Sequence, residues 1–180
     1  MRKALVIGID YYANIPGLFG CVNDAHSVKT VLERHSDGTV NFDIKLFSGT
    51  GPTSLVTKAD LKQHVRDLFA GDSEIALFYF AGHGHIETTG GYLCTSDCTT
   101  GDDGLPLLDL LTLANGSAAR NKVIVLDSCH SGVAGTNPLA PQNTALSEGL
   151  TMPIIEWSSL RNDRIHKDRA YYRTSCLVIT

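Results

Sequence analysis

Short continuous apolar runs alternate with amphipathic ones along most of this chain. Residues 3–9, KALVIGI, form an unbroken apolar stretch of strand length, the pattern of a strand covered on both faces. After a glycine-bearing loop, CVNDAHSVKTVLERH (21–35) places Val22, Ala25, Val28, Val31 and Leu32 at helical spacing, with Asn23 or Asp24 as the candidate cap. FDIKLFSG (42–49) alternates as a strand does. TKADLKQHVRDLFAG (57–71) gathers Leu61, Val65, Leu68 and Phe69 on one face behind Thr57 and Asp60 at capping-box spacing. EIALFYFAGHG (74–84) reads as a buried strand, LPLLDLLTLANGS (105–117) as a helix and NKVIVLD (121–127) as a further strand. This alternation predicts an α/β fold: a mostly parallel sheet flanked by helices on both faces, in three layers.

The rhythm fails after residue 132. From Val133 to Arg173 there are prolines at 138, 141 and 153, then the charged run SSLRNDRIHKDRAYYR (158–173). So long an aperiodic stretch exceeds an ordinary connection and predicts a functional or mobile segment. SCLVIT (175–180) then reads as one more buried strand. A domain rarely stops in the middle of its sheet, so the chain is expected to be a fragment or one piece of a larger protein.

Composition narrows the class. With 180 residues, 43% of them apolar, the chain can bury one full core and is expected to be a single domain. A net charge of -4 without a long basic run argues against nucleic acid or an anionic membrane as partner. The first apolar run, Ala4 to Ile9, is too short for a signal peptide, and no run approaches the roughly 20 residues of a membrane span. The 5 cysteines are irregularly spaced, which suits reduced thiols and a cytoplasmic location.

Two predicted strands deliver reactive side chains to one sheet edge. In open parallel sheets ligands bind outside the carboxyl ends of the strands. One strand ends in AGHGH, carrying His83; another ends in DSCHSG, carrying Cys129. One helical crossover separates them, so neighbouring strands about 4.8 Å apart would bring an imidazole near a thiol. That pairing suits acyl transfer, because a histidine can generate or stabilise a nucleophilic thiolate. Gly82 and Gly84 allow close backbone approach, and the N–H groups of Gly84 and Cys129 are candidate oxyanion donors. Taken singly, each residue has a plainer reading: a buried cysteine as a small hydrophobe, a histidine as a loop residue. His83, His85, Cys94 and Cys98 have ligand-like spacing for zinc, but a polar loop separates the two pairs and no metal or cofactor is expected. A phosphate-binding sheet would need a glycine-rich loop after the first strand, and GIDYYANIPG has the wrong spacing.

FYFAGHG (78–84) followed by VIVLDSCHSG (123–132) resembles the caspase-like cysteine peptidases, specifically their metacaspase and orthocaspase branch, of peptidase C14 type. KALVIGIDYYANIPGLFGCVNDAHSVKTVL (3–32) is similar to the branch's first strand, loop and helix start, and SCLVIT to the strand opening its small subunit. The resemblance therefore covers nearly the whole chain. It implies a caspase-like catalytic domain over 1–180, with a large-subunit-like part (1–132), an irregular linker or activation loop (133–173) and the start of a small-subunit-like part (174–180). It implies a cysteine endopeptidase with Cys129 as nucleophile and His83 as base and acid. It also implies an acidic pocket of Cys21, Asp24 and Asp127 for Arg or Lys before the scissile bond, so protein or peptide substrates are the expected partners. Carboxylates in a cleft recognise a cationic side chain through charge-assisted bonds and repel aspartate. One departure is Ala81, where the branch often has serine. Asp97, Asp102, Asp103 and Asp109 offer oxygen ligands but lack the branch's adjacent acidic pair, so a solvated acidic loop is expected rather than calcium. Arg161, Arg164, Lys167, Arg169 and Arg173 offer an enzyme of this specificity targets for self-processing within its own linker. The alternative function is a catalytically silent caspase-like interaction or regulatory module, since one fold hosts both.

Overall fold

The computed structural model describes residues 1–128 and the strands at 154–157 and 175–179. The chain opens with β1 (Arg2–Ile9), α1 (Cys21–Glu33), β2 (Asp43–Gly49), α2 (Lys58–Phe69) and β3 (Ile75–Gly82). A small antiparallel sheet of β4 (Gly84–Glu87), β5 (Gly90–Leu93) and β6 (Leu105–Pro106) follows. Then α3 (Leu107–Asn115) and β7 (Asn121–Ser128) resume the alternation, and β8 (Ile154–Trp157) and β9 (Ser175–Ile179) come last. The main sheet runs in the order β2-β1-β3-β7-β9-β8. Its first four strands are parallel, and β9 runs antiparallel to both of its neighbours.

The unbroken apolar runs become the strands covered on both faces. Along β1, Ala4 and Val6 pack with Ala25 of α1 and with Tyr79 and Ala81 of β3. The intervening Leu5, Ile7 and Ile9 pack on the other side with Phe78, Phe80 and Leu126, against Leu61, Val65 and Leu68 of α2 and Leu110 of α3. The side-chain period of two thus divides each strand between two cores. The expected α/β sheet with helices on both faces is what forms.

Several boundaries differ from the sequence reading, each for a local reason. The helix read from Leu105 begins at Leu107, because Pro106 is extended (φ -61°, ψ 134°) and pairs with Tyr92 as part of β6. Neither Asn23 nor Asp24 caps α1. The helix starts earlier, at Cys21, because Gly20 takes a left-handed φ of 102° and Asp10 Oδ1 accepts the Cys21 N–H at 2.9 Å. The Thr57 cap forms as the spacing indicates: its hydroxyl accepts the Asp60 N–H at 3.2 Å. Strand β8 lies inside the stretch read as an irregular linker, and the rest of 133–173 lies outside the described residues. Among the described residues no helix is long and apolar enough to cross a membrane.

Candidate active site

The carboxyl ends of β1, β3 and β7 are in register. Gly8 pairs with Ala81 and Ala81 with Asp127, and one residue further on Gly82 pairs with Ser128. His83 leaves the sheet at that point. Its backbone N–H donates to the Tyr12 hydroxyl at 2.8 Å, and its ring lies 4.8 Å from the Tyr12 ring at 53°. Its Nε2 lies 2.9 Å from the carbonyl oxygen of Pro16. A carbonyl only accepts, so this contact assigns the proton to Nε2 and leaves Nδ1 with a lone pair. The imidazole is therefore held between the Pro16 carbonyl and the Tyr12 ring.

Nothing in the periodicity of the sequence marks Tyr12. It is only 5% exposed, and burial pushes its phenol far above the ordinary range, so it stays neutral. Gly82 makes room for it: a Cβ there would sit 2.7 Å from the Tyr12 oxygen and 2.9 Å from Phe80 Cζ. The loop bearing Tyr12 and Pro16 is itself tied down. Tyr11 N–H donates to Gly49 O at 3.0 Å, Ala13 N–H to Ser96 O at 2.8 Å and Leu18 N–H to Asp10 O at 2.8 Å. Gly84 opens β4 opposite Leu93, while Cys129, the residue after β7, lies outside the described residues.

At the start of α1 the chain gathers carboxylates around Cys21. A Cβ on Gly8 would sit 2.5 Å from Cys21 O and 2.8 Å from Ala25 Cβ, so glycine there lets the start of α1 press onto the sheet edge. The Cys21 thiol is pushed up to about 12, first by burial and then by Asp10, Asp127 and Asp24. Cys21, Asp24 and Asp127, predicted as one group, thus share a neighbourhood. Asp10 joins them, a residue the sequence reading missed; its signal was an acid directly ending a buried strand at the ligand-binding edge. Asp127 Oδ2 accepts the Tyr79 hydroxyl at 3.1 Å. Ala81, in register between Gly8 and Asp127, is buried.

Residues 1–175 match the family model described as the caspase domain, of peptidase C14 type. The chain belongs to the caspase-domain family. This caspase domain is 31% identical over 147 residues to metacaspase-6 of Arabidopsis thaliana, covering 73% of the chain and 38% of that protein. It is 29% identical over 147 residues to metacaspase-4 of the same plant, covering 73% of the chain and 34% of that protein. With metacaspase-1 of Cryptococcus neoformans var. neoformans serotype D the figure is 28% over 149 residues, 74% of the chain and 32% of that protein. The chain thus spans about a third of the length of these curated relatives.

The remaining candidates of the caspase domain fall elsewhere. His85 Nε2 lies 3.4 Å from Glu87 Oε1, and the ring packs on Gly101, where a Cβ would sit 2.6 Å from His85 Cγ. Cys94 and Cys98 are buried together, both sulfurs 3.9 Å from Gly101 O. His83 and His85 are thus engaged by Pro16 and Glu87, and among the described residues no three His, Cys, Asp or Glu side chains are arranged to hold a metal ion. Of the acidic loop, Asp97 accepts from Lys58 N–H at 3.1 Å, Asp103 from Thr99 N–H at 2.7 Å, and Asp109 pairs with Lys62 at 2.7 Å. Asp102 accepts the Thr100 hydroxyl.

Proposed function

We propose that this caspase domain is a cytoplasmic cysteine endopeptidase that cleaves proteins or peptides after Arg or Lys, with Cys129 as nucleophile and His83 as base and acid. The observation that carries the reading is the last registered pair of β3 and β7: Gly82 and Ser128 immediately precede His83 and Cys129 in the chain. The relatives' names, metacaspases, point the same way.

In this reading the Pro16 carbonyl holds the Nε2 proton of His83, and Nδ1 takes the proton of the Cys129 thiol. The thiolate adds to the substrate carbonyl carbon, and the resulting oxyanion accepts from the N–H groups of Gly84 and Cys129. His83 then gives the proton to the leaving amine, and water hydrolyses the thioester with His83 again as base. A base positioned in this way contributes about 100- to 10,000-fold in rate.

Basic specificity rests on the potential around Cys21. Burial first, and then Asp10, Asp127 and Asp24, raise its half-buried thiol, and the carboxylates of Asp24 and Asp127 would draw a guanidinium or ammonium and repel a carboxylate. Self-processing at the basic run 161–173 belongs to the same reading.

A fluorogenic peptide panel varying the residue before the scissile bond tests it. Arg and Lys peptides should be cleaved and Asp peptides refused. Cys129→Ala and His83→Ala should be inactive, and His85→Ala should keep much of the activity. Asp127→Ala should lose basic selectivity by about 2–4 kcal/mol. New N-termini after basic residues, absent from Cys129→Ala, would mark self-processing. Efficient cleavage after Asp refutes the pocket; inactivity of a folded wild-type chain on every peptide favours the silent interaction module.

A further inference from the structure

Cys94 and Cys98 take no part in the proposed hydrolysis, yet their position is specific. They bracket a five-residue turn, CTSDC, closed by the Cys98 N–H donating to Thr95 O at 2.9 Å. Both side chains are inside, at 2% and 1% exposure, and both thiols converge on one carbonyl oxygen, that of Gly101. The Cys98 thiol also donates to Asp103 Oδ1 at 2.9 Å. Each sulfur lies 3.9 Å from the same oxygen, so the two are neighbours, and Cys94 is the leading cause that holds the Cys98 thiol below its ordinary value.

The same turn is the support of the loop that orients His83. Cys94 N–H donates to His83 O at 2.9 Å, and Ser96 O accepts the Ala13 N–H at 2.8 Å. Cys98 O accepts from Asn14 Nδ2 at 3.3 Å. Ala13 and Asn14 lie between Tyr12, whose hydroxyl accepts the His83 backbone N–H and whose ring lies against the imidazole, and Pro16, whose carbonyl meets the imidazole Nε2. A shift of the turn is therefore passed directly to the histidine.

We propose that Cys94 and Cys98 are a reversible oxidation site: a peroxide converts them to an intrachain disulfide that displaces the Ala13–Pro16 loop from His83. The Cys98 thiolate attacks hydrogen peroxide and becomes a sulfenic acid, releasing hydroxide. Cys94 then attacks that sulfur, the S–S bond forms, and the second oxygen leaves as water once protons are counted. In sum two thiols and one peroxide give one disulfide and two waters. Thr99, Thr100 and Asp102 around the buried Gly101 are exposed, and local opening there would admit the oxidant. Drawing the sulfurs together removes the Cys98 thiol from Asp103 and pulls the turn inward, against its bonds to Ala13 and Asn14. A dithiol reductant reverses the change.

The test uses the full chain with Cys129→Ala, so that no nucleophilic thiol competes, treated with hydrogen peroxide and then alkylated. Peptide mapping should find Cys94 linked to Cys98. Hydrogen exchange at the Ala13 amide should quicken about tenfold as its bond to Ser96 is lost. The NMR signal of the His83 Nε2 proton should shift, and dithiothreitol should restore all three. Adding Cys98→Ser should leave Cys94 open to alkylation after peroxide; should that variant not fold, Cys94→Ser serves with Cys98 as the reporter. Both cysteines alkylated after peroxide, or a link to any other cysteine, overturns the site. A correct link with unchanged Ala13 exchange and His83 signal overturns the displacement. None of these readouts needs turnover, so the outcome is independent of the peptidase reading.

Discussion

Tyr12→Phe separates the support of His83 from the packing around it. The ring is 5% exposed, and phenylalanine fills the same space, so its contact with the imidazole survives. What disappears is the oxygen that accepts the His83 N–H at 2.8 Å. An inner backbone donor left without an acceptor costs about 1–3 kcal/mol; losing the hydroxyl's own burial penalty places the net near 1–2 kcal/mol. For a chain of this size that lowers Tm by roughly 2–8 °C. The Pro16 contact remains, so the histidine keeps one of its two anchors and kcat/KM on an Arg peptide should fall about tenfold rather than vanish. A second substitution checks the geometry. Gly82→Ala puts a Cβ 2.7 Å from the Tyr12 oxygen and 2.9 Å from Phe80, an overpacking worth about 1–3 kcal/mol. In the Tyr12→Phe background the nearer clash is gone, so Gly82→Ala should cost about 1 kcal/mol less there. Thermal and urea unfolding of the four proteins measure the cycle, and peptide hydrolysis measures the catalytic arm. Strict additivity, or a Tyr12→Phe protein as stable and as active as the wild type, would refute this account.

Two further outcomes rest on single residues. With its thiol pushed up to about 12, Cys21 stays protonated well above neutrality. At pH 8 its thiolate fraction is about one in ten thousand, against about one in four for an ordinary thiol near 8.5. Iodoacetamide should therefore spare Cys21 in the folded chain, and Asp10→Asn, which removes the largest charge contribution, should speed its labelling; rapid wild-type labelling would contradict the acidic neighbourhood. Thr57→Ala removes the hydroxyl that accepts the Asp60 N–H and should cost about 1 kcal/mol, some 2–4 °C in Tm; an unchanged unfolding curve would deny the cap any contribution.

Periodicity alone determined the class of fold. A strand covered on both faces must be apolar at every position, and a helix on a sheet must be apolar on one face; KALVIGI and Leu61–Val65–Leu68 therefore declared themselves. Reactive residues directly after such strands, His83 above all, were legible for the same reason, because a parallel sheet presents its strand ends at one edge. What the tertiary structure decided are the partners that no period encodes. Tyr12 and Pro16 come from an irregular loop 71 and 67 residues away from His83, and one of them acts through a backbone carbonyl that every residue type carries. Asp10 reaches Cys21 only because Gly8 admits α1 so closely and Gly20 starts the helix there. The short strands β4, β5 and β8 span four residues each, too few to establish a period of two against the surrounding polar chain. The crossover between the His83 and Cys129 strands already pointed to β3 beside β7, but that β1 lies between β2 and β3 depends on long-range pairing between runs of similar apolar composition. The long-range pairing of β3 with β7 sets Gly82 opposite Ser128, the residues directly before His83 and Cys129 in the chain.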